Sequence, residues 1–233
     1  PNWDPGKKLI RGPYNGSGGP GGLFFGREPS YGWSPGMARY GLPHYDVPGI
    51  ERIEDLKDPA LARRMGEYMQ HRMSRGDVAP NLAVCSLVTN AYMMTGEEKY
   101  RRWVLDYVEV WAERARQHQG LLPDNVGLSG QVGEYTEGHW YGGLYGWTWP
   151  HGFYNLQMAA LVAASCACLL TGDKGYFELP RQQQARILEL GQLRSLDQCE
   201  MSLAEHWIGH HLALGNRRRT LVVPYRYGDA GWF

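Results

Sequence analysis

Apolar positions first recur at helical spacing in residues 58–75, DPALARRMGEYMQHRMSR, where Leu61, Met65, Tyr68, Met69 and Met73 form one stripe behind an Asp-Pro start. A second helix is predicted over 81–94, apolar on most faces. The third, 98–118, places Tyr100, Trp103, Val104, Tyr107, Val108 and Trp111 at i, i+3, i+4, i+7, i+8 and i+11. That spacing is an amphipathic helix with a single buried stripe. A near-continuous apolar helix follows at 155–177, and a more polar one at about 178–191. Residues 1–50 lack a long period and are rich in Gly, Pro, Tyr and Trp. They read as an irregular arm with one short strand at 22–25, ahead of a helical domain over 51–233.

Two of these segments echo each other. NLAVCSLVTNAYMMTGEEKY (81–100) and NLQMAALVAASCACLLTGDKGYF (155–177) both open on Asn-Leu and both end in a Thr-Gly turn. Each leads into a more polar helix. The pattern predicts a repeated helical hairpin, with a buried inner helix, a turn and an amphipathic outer helix. An inner helix that is apolar all round needs neighbours on every side. MAALVAASCACLL (158–170) has scarcely a polar residue, so the chain is expected to pair with a second copy or to pack against further parts of a longer protein.

Composition narrows the chemistry. Lys plus Arg equals Asp plus Glu, so the formal net charge is zero, which argues against nucleic acid as a partner and against an anionic membrane surface. With no uninterrupted apolar run of about 18 residues, no membrane span is predicted. Cys85, Cys166, Cys168 and Cys199 include no CxxC pair, so no zinc knuckle or redox motif is expected. His206 and His210 fall four apart in AEHWIGHH, one face of a possible helix, but without HExxH order or an evident third ligand. No metal and no cofactor are predicted. The chain begins with proline, consistent with either a removed leader or an internal start.

The excess lies in flat side chains and glycine: Gly 31, Tyr 15 and Trp 9. They concentrate in GEYTEGHWYGGLYGWTWPHGFYN (133–155), just after GLLPDN (120–125). Gly142, Gly143 and Gly146 let the backbone turn close to a ligand. Trp140, Tyr141, Tyr145, Trp147, Trp149 and Tyr154 offer faces on which sugar C–H groups pack. Asn125, Asn155 and the tail's Arg226 supply polar grips. The bland reading is an aromatic plug closing one end of a helical bundle.

The paired inner and outer helices, the "TG(D/E)xxY" turns and this aromatic loop resemble the (α/α) toroid enzymes that act on polysaccharides. Those include unsaturated glucuronyl hydrolases and toroid-fold polysaccharide lyases. The resemblance covers residues 80–191 and the terminal VVPYRYGDAGWF, with fewer helices than a closed ring holds. It implies a mainly α, toroid-like fold, a shortened or partial ring, and an acidic oligo- or polysaccharide as partner.

Two chemistries fit the loop. Hydrolysis needs a protonated acid and a second carboxylate, for which Asp124, Glu134 and Glu137 are the nearest set. The bland alternative for Asp124 is an Asx turn with Asn125. β-Elimination from a uronate instead needs proton transfer by Tyr or His, for which Tyr141, Tyr145, His139 and His151 are placed, with Asn125 gripping the acid. The density of carboxylates favours hydrolysis. A third reading is a glycan-binding or interaction domain without catalysis.

Overall fold

The computed structural model describes residues 2–12, 28–36, 38, 42–44, 46–147, 152–190, 192–195, 206–207 and 219–224, the last three stretches by their backbone alone. The described residues are mainly helical. A two-stranded antiparallel ribbon, β1 (Trp3–Asp4) and β2 (Leu9–Ile10), precedes five helices. These are α1 (Pro59–Met73), α2 (Cys85–Thr95), α3 (Glu98–Gln117), α4 (Gly152–Thr171) and α5 (Glu178–Leu190). Short 3-10 helices at Ile53–Lys57, Ala79–Val84 and Lys174–Phe177 lead into α1, α2 and α5.

Helix α1 starts where the sequence says it should. The Asp58 carboxylate accepts from Ala60 N at 2.7 Å, and Pro59 fills the first helical position, where its missing N–H costs nothing. Its stripe of Met65, Met69 and Met73 is buried against Tyr31, Leu42, Val47 and Ile50 of the preceding segment. Tyr31 N donates to Ala62 O at 2.9 Å. The described residues of 31–50 therefore build a second core with α1, while the ribbon at the start of the arm packs on the hairpin core through Trp3 and Ile10. The strand expected at 22–25 lies outside the described residues.

The repeat is real at atomic detail. Thr95 Oγ1 donates to Ala91 O at 2.8 Å and accepts from Glu97 N at 3.2 Å. Thr171 Oγ1 likewise donates to Ala167 O at 2.7 Å and accepts from Asp173 N at 3.1 Å. Gly96 and Gly172, at φ 69° and 80°, each donate back four residues at 2.7 Å. That left-handed stop favours glycine. The same two residues thus end α2 and α4 and turn the chain into α3 and α5.

Between these hairpins lies the larger core. Tyr107 and Trp111 of α3 meet Leu82, Cys85, Leu156, Ala160, Ala163, Ala167 and Ile187. The buried alanines of α4 let its neighbours approach closely. Buried Asp77 fastens the N-terminal ribbon to this core. Its carboxylate accepts from Ile10 N at 2.8 Å, from Asn81 Nδ2 at 2.9 Å and from the Tyr107 hydroxyl at 2.9 Å. Burial pushes its pKa up to about 6 despite those bonds.

One face of α2 and α4 has no cover among the described residues. Tyr154, Met158, Leu161 and Leu169 form an exposed stripe on α4, beside Leu87, Met93 and Met94 on α2. Helix α4 is also long and apolar enough to cross a membrane, a property the run-length criterion missed because Asn155, Gln157 and Ser165 interrupt the sequence. Its other flank is buried against α2, α3 and α5, as a core helix requires.

The segment after α5 departs from helix. Strands β3 (Gln192–Ser195), β4 (His206–Trp207) and β5 (Arg219–Pro224) pair antiparallel in the order β3-β5-β4. His206 opposes Pro224 in that sheet, so it is not on the helix that its spacing from His210 suggested. Two residues of alternation are too short a signal to displace a helical reading. His210 lies outside the described residues.

Candidate functional site

The connection from α3 to α4 is organised around one carboxylate. Asp124 is fully buried and accepts from Gly143 N at 2.8 Å, Trp147 N at 2.7 Å and Gly142 N at 3.2 Å. Its own N–H donates to Trp140 O at 2.9 Å. A side chain on Gly146 would overlap the Asp124 carboxylate, which is why glycine stands there. Trp147 closes the arrangement from below, fully buried, its indole N–H donating to Leu122 O at 2.7 Å. Burial pushes the Asp124 pKa up to about 6, against the three amides that favour the anion. This carboxylate is spent on shaping the loop.

Glu134 does a similar job on a smaller turn. Its Oε2 accepts from both the amide (2.9 Å) and the hydroxyl of Ser129. These bonds hold its carboxyl below the usual range. The turn is pinned further by Gly127 N donating to Gln131 O at 2.8 Å and by the bridges joining Asp77, Val126 and Val132.

Glu137 stands apart from both. Its backbone is left-handed at φ 57°, 61% of its side chain is exposed, and Oε1 accepts from Arg72 Nη2 at 2.8 Å. Arg72 comes from α1 and is only 2% exposed. Its fork also grips Asp46, Nη1 to Oδ1 at 2.7 Å and Nη2 to Oδ2 at 2.8 Å. Sharing Nη2 brings an oxygen of Asp46 to within 5.6 Å of one on Glu137. Burial raises the Asp46 pKa, but the bonds and charge of Arg72 outweigh it and hold the group low. Arg72 is pushed up in turn, because the two carboxylates outweigh its desolvation.

Beside this triad lies His44, fully buried, with neither ring nitrogen hydrogen-bonded among the described residues. Desolvation, helped by the Arg72 charge, depresses its pKa to about 3, so the ring is neutral. Asn125 Nδ2 reaches Arg72 O at 3.4 Å, and its Oδ1 is a buried acceptor without a partner. The whole edge combines a fixed guanidinium, the two carboxylates it grips, a neutral imidazole and an open amide oxygen.

The remaining predicted residues divide by exposure. Tyr145 is 43% exposed at φ 56°, and Asn155 Nδ2 holds its carbonyl at 3.0 Å. Tyr154 is exposed on the first turn of α4. Half-buried His139 stacks on buried Tyr141, with centroids 5.1 Å apart and planes at 21°. Half-buried Trp140 meets Tyr141 and Trp147 edge-on at 5.4 and 6.0 Å. Trp147 and Tyr141 are core, and cannot offer a free face to a sugar. Trp149, His151 and Arg226 lie outside the described residues. Among the described residues no cluster of His, Cys, Asp or Glu is arranged to hold a metal ion.

A family model described as a domain of unknown function (DUF8034) matches residues 1–233. The chain belongs to DUF8034. No curated protein and no solved structure matches it.

In this DUF8034 chain the residues that sequence reasoning missed are His44, Asp46 and Arg72. Arg72 carried a signal. It falls seven residues after Met65 and three after Met69, on the stripe that the methionines mark as buried. A charge on a buried stripe demands partners. The partners gave no signal of their own, because LPHYD (42–46) sits in a segment without period.

Proposed function

We propose that this protein processes an acidic carbohydrate at the edge formed by Glu137, Arg72 and Asp46, with Tyr145 and the rim of the aromatic loop as the sugar-packing surface. The observation that carries the reading is the pair of carboxylates held on one guanidinium, with oxygens no more than 5.6 Å apart. Retaining glycosidases place their two carboxyl groups about 5–5.5 Å apart. Hydrolysis therefore keeps its lead over β-elimination, with Glu137 and Asp46 as the pair and Asp124 and Glu134 as scaffold. Arg72 holds the Asp46 carboxyl low and pairs with Glu137 at rest. A uronate that takes over one Arg72 N–H would release Glu137 from its ion pair and leave its carboxyl free to meet the glycosidic oxygen.

Incubation with a panel of uronic-acid oligosaccharides tests this. The expected outcome is new reducing ends without near-ultraviolet absorbance, lost in Glu137→Gln. Absorbance from an unsaturated product would establish the lyase route instead. Binding without any product would leave a glycan-recognition domain.

We also propose a toroid-like arrangement in which α2 and α4 are inner helices and α3 and α5 outer ones. The matched Thr-Gly turns and the apolar stripe of α2 and α4, uncovered among the described residues, support it, since inner helices need neighbours on both flanks. A second copy paired about a two-fold axis is the simplest cover. Light scattering should show a dimer that Leu87→Glu dissociates, and a monodisperse monomer at micromolar concentration would rule the arrangement out.

A further inference from the structure

On another side of the aromatic loop, Arg114 of α3 poses an unsolved electrostatic problem. It is 6% exposed, its guanidinium makes no hydrogen bond among the described residues, and Nη1 is fully buried without a partner. Its contacts are the Trp111 ring, 4.9 Å from Cζ, and the charge of Asp77 acting through space. A buried Nη1 and a charge largely removed from water call for acceptors. Arg114 also lines an open cavity of 600 Å³ with Lys7, Gln117, His118 and Gln131.

The lining is suited to an anion. Lys7 is exposed and fixed by donation to Leu128 O at 2.7 Å. His118 donates from Nδ1 to Arg114 O at 2.7 Å, leaving Nε2 uncommitted. The one acid in the wall, Glu113, is already taken by Arg116 at 2.6 Å and Gln117 at 3.0 Å. What remains is two cations, two amides and an imidazole facing no free carboxylate.

We propose that this cavity is a binding site for a compact oxyanion, with the Arg114 fork as its principal ligand and Lys7 as the second. The His118 ring lies 6.4 Å from half-buried Trp140, so the cavity abuts the aromatic loop. The acid group of the saccharide is then its natural occupant. Only that choice of source rests on the functional proposal, because the site's affinity for an oxyanion stands without it.

Titration calorimetry at low ionic strength, with sodium sulfate, sodium phosphate and sodium glucuronate as separate probes, decides the matter. Saturable binding of at least one is expected, weakened about tenfold or more in Arg114→Gln and severalfold in Lys7→Gln. Glucuronate binding more tightly than sulfate and phosphate would assign the site to a uronate; the reverse order would assign it to a sulfate or phosphate group. If Arg114→Gln does not fold, Lys7→Gln, altered at an exposed position, decides alone. No saturable binding of any probe, or unchanged affinity in Lys7→Gln, would overturn the proposal. Neither result depends on whether glycosidic cleavage is observed.

Discussion

The two sides of the α3–α4 loop use the same residue types for opposite ends. On the inner side, Asp124 and Trp147 are fully buried and committed to Gly142, Gly143 and Leu122. On the outer side, Glu137 and Tyr145 are exposed, held at left-handed φ, and committed only in part. An acid and an aromatic on each side thus serve folding in one place and are available to a ligand in the other. Burial and the number of hydrogen-bond partners separate the roles; residue type does not. A residue held in a sparsely populated backbone region needs a surrounding that over-determines it, and the inner side supplies that surrounding.

Breaking the inner side should cost most. Trp147→Ala empties a site at the centre of the core and strands the Leu122 carbonyl, so a loss of about 3–5 kcal/mol is expected in urea denaturation. An unchanged midpoint would mean that the loop is not anchored through Trp147. Arg72→Met comes next. It leaves Asp46 ionised and part-buried without its partner, with an expected loss of about 3 kcal/mol. Because Glu137 loses its anchor in the same change, the backbone bonds of its turn should open more readily, which faster amide hydrogen exchange across 133–138 would detect.

The imidazole at the boundary between the two sides sharpens the comparison through pH. The folded-state pKa of His44 is depressed to about 3, against 6.5 for the free side chain. The unfolded chain therefore takes up a proton that the folded one refuses, and stability is lost as pH falls below 6.5. Asp77 and Asp124, raised to about 6, act in the opposite sense over their own window, losing stability as pH rises from about 4 to 6. Comparing wild type with His44→Gln isolates the histidine. The wild type should lose about 2 kcal/mol relative to the variant between pH 6.5 and 5. Parallel pH profiles would show that His44 is not shielded from protonation.

Much of the fold was legible because its signals are periodic. The Met stripe of α1, the aromatic stripe of α3 and the Asn-Leu to Thr-Gly repeat each placed a helix within a few residues of its end. The sheet after α5 was not legible, since β4 spans only His206–Trp207 and its partner arrives after an intervening segment. The site was legible in part. Composition singled out the loop, but spacing could not say that Asp124 would be enclosed by Gly142, Gly143 and Trp147, or that Trp147 would be core. Those outcomes depend on how the chain folds back across 18–25 residues. Arg72 and Asp46 meet across 26 residues and Arg72 and Glu137 across 65, distances at which single-sequence periodicity carries nothing.

The central claim is that the inner acid shapes the loop while the outer acid meets the substrate. Glu137→Gln tests it most directly, with stability and product release from a uronic-acid oligosaccharide measured on the same preparation. The Arg72–Glu137 pair is largely exposed on the glutamate side, so stability should change by less than about 1 kcal/mol while product release is abolished and sugar binding persists. Turnover in Glu137→Gln equal to wild type would contradict the assignment.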